Sequence, residues 1–148
     1  MFASDAEALA AAEKAYATYL KVSGMISADG GSGPGRIDPY VTKEQAPREH
    51  KTYAYFSSNQ LHTTGIPKFS SPKLEQLTFD REGAADLTFY TCVDASHVRV
   101  LDVSNNDVTP ANRQDLTPLE VTLVSSATAK SDLLVSESST WSGPGVCS

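Results

Sequence analysis

Residues 87–94, Leu87-Thr88-Phe89-Tyr90-Thr91-Cys92-Val93-Asp94, alternate between two faces. Leu87, Phe89, Thr91 and Val93 fall on one, and Thr88, Tyr90, Cys92 and Asp94 on the other. Aromatic and β-branched residues in a period of two suit a pleated strand that buries one side. Working outward, Leu74 to Asp80 reads as the strand before it, joined by a hairpin turn at Arg81-Glu82-Gly83. On the other flank, Asp94-Ala95-Ser96-His97 reads as a turn into a strand over Val98 to Val103. A polar loop with Asn105-Asn106 and Pro110 follows. Leu119, Val121 and Leu123 then form one face of a further strand, opposite Glu120 and Thr122, and Leu133 to Trp141 makes the last. The face bearing Thr88, Thr122, Ser136, Ser138 and Thr140 is expected to be largely wet.

Ahead of this run of strands the period changes. Ser4 and Glu7 have the S-x-x-E spacing of a capping box, with Asp5 and Glu7 placed favourably for the helix dipole. Leu9, Ala12, Tyr16, Tyr19 and Leu20 recur at helical spacing, predicting an amphipathic helix from about Asp5 into the low twenties, with an extension to Ala28 that Gly24 weakens. Gly30-Gly31-Ser32-Gly33-Pro34-Gly35 reads as a flexible connector; it lacks the G-K-[ST] ending of a phosphate loop and follows a helix, not a strand. Ile37-Asp38-Pro39-Tyr40-Val41 reads as a short helical or turn segment. Thr42 can cap a second helix with Gln45 at the box position, Pro47 near its first turn and Tyr53, Phe56 and Leu61 as its apolar stripe; His62-Thr63-Thr64-Gly65 ends it. Helices first and antiparallel strands after them predict an α+β fold, its helices packed on one face of the sheet. The expectation is one domain over 1–148: a helical part at about 4–64, a sheet part at about 66–141 and a tail at 142–148.

The length of 148 residues suits a domain with a real core, and 40% hydrophobic against 20% charged residues is a globular composition. A net charge of −6, with no two basic residues adjacent, argues against a nucleic-acid partner. No apolar stretch reaches the roughly 20 residues that span a bilayer. Met1-Phe2-Ala3-Ser4-Asp5 has neither the charged nor the apolar region of a signal peptide, leaving a natural start or a mature segment given an added Met. The two cysteines, Cys92 and Cys147, stand outside any C-x-x-C pair, so zinc and thioredoxin-like redox chemistry are unsupported. One lies in a strand and the other in a polar, glycine-rich tail. Pairing them explains the cysteine in the tail and implies an oxidising compartment, the alternative being two unrelated thiols.

The layout of a long first helix, a second helical region and a curved antiparallel sheet resembles the nuclear transport factor two-like superfamily, also called cystatin-like. More narrowly it resembles uncharacterised actinobacterial lipoproteins of that fold. The resembling stretches are Ala8 to Leu20, Ile37-Asp38-Pro39-Tyr40-Val41-Thr42, Thr91-Cys92-Val93-Asp94-Ala95-Ser96, and Pro118 to Val124 followed by Trp141 and a terminal cysteine. The resemblance implies a cone of helices over a concave sheet. It also implies a cell-envelope or secreted location, with a lipid anchor preceding this chain, because the lipid-carrying cysteine of such proteins is absent here.

Enzymes of this fold work inside the cone with carboxylates, histidines and tyrosines. His50, one turn from Tyr53, is the acid–base candidate, set against an exposed helix position between Glu49 and Lys51. His62 and His97 have surface-like settings, and Asp94 and Asp102 suit turn capping. No G-x-S-x-G or H-E-x-x-H spacing occurs, and Ser136-Glu137-Ser138-Ser139 reads as a wet strand face. Tyr16 and Leu20 of the first helix, and Tyr53 and Phe56 of the second, point toward one space, facing Leu87, Phe89, Leu119, Val121, Leu123, Leu133 and Val135. A small pocket at Tyr16, Tyr53 and Phe56, edged by phenol hydroxyls, is the candidate binding site; ordinary core packing is the alternative. The reading is therefore a non-catalytic extracytoplasmic binding or structural module. It requires no metal or cofactor, and its partner is an envelope protein or a small molecule. A small isomerase, dehydratase or hydrolase using the cone is the alternative.

Overall fold

A computed structural model describes residues 2–143 and 145–147, with residue 71 described by its backbone alone. The first helix, α1, spans Asp5–Ala28. Ser4 caps it by accepting the Glu7 N–H at 3.1 Å, and the Glu7 carboxylate reaches back to the Ala3 N–H at 3.1 Å. Gly24 carries the helix past the predicted weak point because it is buried: a Cβ there would sit 3.1 Å from the Ile66 side chain. A bulkier residue would hold α1 off the segment that enters the sheet.

The glycine run is an ordered turn, not the loose connector its composition suggests. Gly31 donates its N–H to Ile26 O at 2.8 Å and has φ of +86°, so it closes the end of α1 in a conformation glycine adopts readily. Its α-carbon also lies against the second helix, α2, which spans Ala46–Ser58; a Cβ on Gly31 would stand 2.1 Å from Tyr53 O. Between them runs a 3-10 helix, Pro34–Tyr40, which buries Ile37. Thr42 closes the turn leading into α2 rather than capping the helix, accepting the Gln45 N–H on its side chain at 3.2 Å and the Ala46 N–H on its carbonyl at 3.0 Å.

Among the described residues six strands follow: β1 His62–Thr64, β2 Lys68–Phe79, β3 Ala85–Asp94, β4 Arg99–Leu101, β5 Leu116–Ser125 and β6 Leu133–Thr140. The four long ones form an antiparallel sheet in the order β2-β3-β5-β6, and β1 pairs with β4 in a separate two-stranded ribbon. The α+β fold is as expected, but two strand readings need correction. His62-Thr63-Thr64, read as a helix end, is strand; the helix has already stopped at Ser58, and Thr63 is buried opposite Val100. The strand expected over Val98 to Val103 contracts to three residues because Asp102 accepts the Ser104 and Asn106 N–H groups, each at 2.9 Å, and turns the chain.

The sheet carries bulges that bend it. In β2 the pairing with β3 shifts between Ser70 and Lys73, where Pro72 lies, and again between Leu74 and Gln76. Thr91, buried opposite the first shift, donates its hydroxyl to Ser70 O at 2.9 Å and keeps the interrupted ladder satisfied. In β6 the partner of Leu123 is Val135 and that of Thr122 is Glu137, which leaves Ser136 as the extra residue. Beyond it the alternation inverts. Ser138 pairs with Val121 and Thr140 with Leu119, so both lie on the helix side of the sheet and not on its outer face, yet both are exposed, as expected.

Leu87, Phe89, Val121, Leu123, Leu133 and Val135 line the inner face and are buried against Ala8, Ala12 and Tyr16 of α1, with Leu119 partly buried at the margin. The outer face is less wet than expected. Trp141 packs on Tyr90 with ring centroids 4.5 Å apart, and Cys147 is bonded to Cys92. The tail therefore straps across the outer side of β3.

Candidate functional site

The space between α1, α2 and the sheet is where the sequence places a pocket. Tyr16, Tyr19 and Ser23 recur at i, i+3 and i+7 and share one face of α1; Glu49 and Tyr53 are one turn apart on α2 and face them. Tyr16 is 2% exposed, Tyr53 1% and Glu49 8%. The Tyr16 ring stands edge-on to Phe69 at 5.0 Å and to Phe89 at 5.6 Å, and stacks on Tyr19 at 5.6 Å. Ser138, opposite Val121, stands on this side of the sheet at its exposed margin. Tyr19 donates its hydroxyl to Glu49 Oε1, and Tyr53 donates to Ser23 Oγ at 2.9 Å.

These phenols are poor acid–base groups. Burial pushes Tyr16 and Tyr19 well above the ordinary tyrosine value, and the Glu49 carboxylate raises both further. Tyr53 is pushed up to about 12, again first by burial, with the Ser23 hydrogen bond opposing the rise. A general acid or base works best when its pKa lies near the operating pH, and these groups have moved away from it. They remain protonated, and the Tyr19 and Tyr53 hydroxyls are committed to partners within the protein.

Of the expected pocket residues, Tyr16 and Tyr53 meet in this interior. Phe56 continues the same face of α2 but is only half-buried, edge-on to Tyr55 with centroids 6.1 Å apart. Leu20 packs on the core from α1. The helical period marks Tyr19 on the apolar face of α1 without giving it a partner, and Glu49 carries no such mark. Glu49 stands in the charged run Arg48-Glu49-His50-Lys51, and only its position four residues before Tyr53 places it inward.

His50 lies outside this cluster. Its Nε2 is 2.7 Å from Asp38 Oδ1, linking α2 to the 3-10 helix, and both side chains are well exposed. His97 Nε2 is 2.8 Å from Ile66 O, and His62 is a half-buried strand residue opposite Leu101. Asp94 and Asp102 cap turns, and amide donors hold both carboxyls below the ordinary aspartate value; for Asp94 the Ser96 hydroxyl is the largest cause. Among the described residues, no group of three or more His, Cys, Asp or Glu side chains could hold a metal ion. No described helix is long and apolar enough to cross a membrane.

The cystine joins Cys92 on the outer face of β3 to Cys147, with Cα atoms 5.0 Å apart. A groove of about 580 Å³ lies beside it, walled by β2 and by the strap. Lys68 and Lys73 line one side, Tyr90, Asp94 and Leu116 the sheet side, and Val146 the strap side.

No protein-family model and no curated protein sequence matches the chain. Its fold does match solved structures. The intermembrane space region of the chloroplast protein ARC6 superposes with a TM-score of 0.58 at 12% identity, covering 89% of this chain and 95% of that one. A periplasmic fragment of TraM gives 0.59 at 13%, covering 94% and 98%. A protein from Catenulispora acidiphila, solved in complex with S-DNPA, gives 0.51 at 13%, covering 89% and 90%. At these identities the likeness is one of fold.

Proposed function

We propose that this chain is a non-catalytic extracytoplasmic module of the nuclear transport factor two-like type, one domain over 1–148. It binds an envelope protein or a small molecule, or spaces other parts of the envelope, and it is secreted or held at the outer face of the cell membrane by a lipid anchor. The observation that carries the non-catalytic reading is the filled cone. Where enzymes of this shape keep an open pocket, Tyr16 packs edge-on against Phe69 and Phe89, and the Tyr19, Tyr53 and Glu49 polar groups satisfy one another or the backbone helices' serines. A reacting group must be reachable and must have a pKa suited to proton transfer, and Tyr16 and Tyr53 meet neither condition.

The disulfide supports the extracytoplasmic part, since such bonds persist in oxidising compartments. Two fold neighbours, a periplasmic fragment and an intermembrane space region, agree with it. Two measurements test the proposal. Fragment titration followed by amide NMR should leave the interior unmoved; saturable shifts clustered at Tyr16, Tyr53 and Phe56 would bring the enzyme reading forward in its place. Thiol counting on unreduced protein recovered from its own host should find none, and two free thiols would refute the assignment of compartment.

A further inference from the structure

β6 is an outermost strand of the four-stranded sheet, and its free side is covered only in part. Upstream, Val41 bridges to Val135 in parallel, and Thr42 donates its N–H to Val135 O at 3.0 Å. Thr42 then turns the chain away into α2, and the rest of β6 has only β5 beside it. Along an antiparallel strand, residues alternate between bonding to their partner strand and pointing their backbone groups away from it. Trp141 donates its N–H to Pro118 O at 2.8 Å, so Ser139 and Glu137, in step with it, also bond to β5. The N–H and C=O groups of Ser138 and Thr140 therefore point out of the sheet, and among the described residues no backbone partner meets them.

Nothing in this stretch resists a further strand. Residues 137–140 contain no proline and no register shift, all are exposed, and all but Glu137 are small. Open donors and acceptors along an edge are completed by another extended peptide. The neighbouring charge selects its kind. Glu137, opposite Thr122, lies on the outer face of the sheet, as does Glu120 of β5, opposite Ser139. Burial first, and then the carboxylates of Glu75 and Glu137, hold the Glu120 carboxyl above its ordinary value. Lys73 stands on β2, at the far margin, and among the described residues Glu137 belongs to no ion pair. β6 carries no basic residue, so a second copy pairing edge to edge would bring no cation to Glu137, and a net charge of −6 on each copy opposes the approach. A strand with a cation in the register of Glu137 gains a cross-strand ion pair.

We infer that the edge of β6 from Glu137 to Thr140 takes a basic extended peptide of a partner protein as a further strand of the sheet, its backbone bonding to Ser138 and Thr140 and its Lys or Arg side chain facing Glu137. The inference rests on the reading of the chain as a binding module with a filled cone, and it gives that module a partner class. It requires no opening of the core, because the added strand lies outside β6, on the side where Val41 already pairs for a single residue.

The test is titration of the full chain at low salt with an acetylated, amidated Thr-Lys-Val-Lys-Thr peptide, followed by amide NMR. The same peptide with Glu in place of Lys is the control for charge, and its fully N-methylated form is the control for backbone pairing. The Lys peptide should shift the amides of 137–140, slow hydrogen exchange at Ser138 and Thr140, and bind at least about tenfold more tightly than either control. Ser138→Pro removes an outward N–H that β5 does not use, so this variant should fold and bind the Lys peptide about tenfold more weakly. Glu137→Lys should reverse the preference between the Lys and Glu peptides, and it decides alone if the proline variant does not fold. Equal binding of the Lys and Glu peptides, undiminished binding of the N-methylated form, an unchanged preference in Glu137→Lys, or no shift at 137–140 overturns the edge inference and leaves the filled cone standing. A dimer without peptide, with Ser138 and Thr140 protected, makes a second copy the occupant and overturns the peptide. Shifts at Tyr16, Tyr53 and Phe56 instead overturn both the edge and the filled cone.

Discussion

Replacing Tyr19 by Phe removes one hydroxyl and leaves the ring stacked on Tyr16. It also takes from Glu49, 8% exposed, the phenol donor that its Oε1 now has. A hydrogen bond to a charged group contributes about 1.5–3 kcal/mol, and orphaning a buried carboxylate incurs its desolvation as well, so we expect a loss of about 2 kcal/mol. For a chain of this length each kcal/mol moves the melting temperature by about 2–4 °C, giving a fall of about 4–8 °C. Glu49→Gln keeps an acceptor of similar shape and should lose less, about 1 kcal/mol. Glu49→Leu leaves the Tyr19 hydroxyl without a partner and should resemble Tyr19→Phe. Combining Tyr19→Phe with Glu49→Leu removes donor and acceptor together, so the double variant should lie about 1–2 kcal/mol above the sum of the singles. Urea unfolding read by fluorescence is suited to this, because the lone tryptophan, Trp141, packs on the other side of the sheet against Tyr90. A Tyr19→Phe variant as stable as the parent, or a cycle additive to within about 0.3 kcal/mol, would refute the view that this pair holds α2 to α1.

Three further outcomes follow from the same geometry. Gly31→Ala should cost about 3 kcal/mol, combining a positive φ with a contact 2.1 Å from Tyr53 O, whereas Gly30→Ala, at φ +70° with its nearest neighbour at 3.5 Å, should cost about 1 kcal/mol; denaturant midpoints give the ranking, and the reverse order would contradict the packing of α2 on this turn. Breaking Cys92–Cys147 should lower stability by up to about 4 kcal/mol, the chain-entropy value for a loop of 55 residues, and a reduced protein as stable as the oxidised one would show that the strap constrains nothing. The buried phenols have folded pKa values above the ordinary 10.0, so their contribution is complete below that pH and is lost as pH rises through the folded values; stability should be level from pH 8 to 10 and decline above it as Tyr53 approaches about 12, and a flat profile to pH 12 by urea titration would contradict their burial.

The long elements were legible because each carries a period. Leu9, Ala12, Tyr16 and Leu20 mark α1, and the alternation over Leu87–Asp94 sets which side of β3 is buried. Even the pairing of Cys92 with Cys147 could be argued from where the two cysteines stand. Legibility failed where the residues carry no contrast. From Ser136 to Thr140 every side chain is small or polar, so nothing in the sequence marks the extra residue at Ser136 or the inversion after it, and Ser138 was placed on the wrong face. The glycine run misled for a related reason: glycine signals freedom, but Gly31 serves here to let two backbones touch. Glu49 was hidden by its charged neighbours. The cone's polar interior therefore had to be seen, while the hydrophobic shell around it could be read.

The interruptions in β2 bear on how the protein behaves when crowded. This strand is one margin of the four-stranded sheet and runs for 12 residues, long enough to template a neighbouring chain. Pro72 offers no N–H to such a visitor, and the register changes twice between Ser70 and Gln76. A strand docking from outside would find its hydrogen bonds out of step after two or three residues, and the irregularities that bend the sheet inward thus also guard that margin against fibril-like stacking.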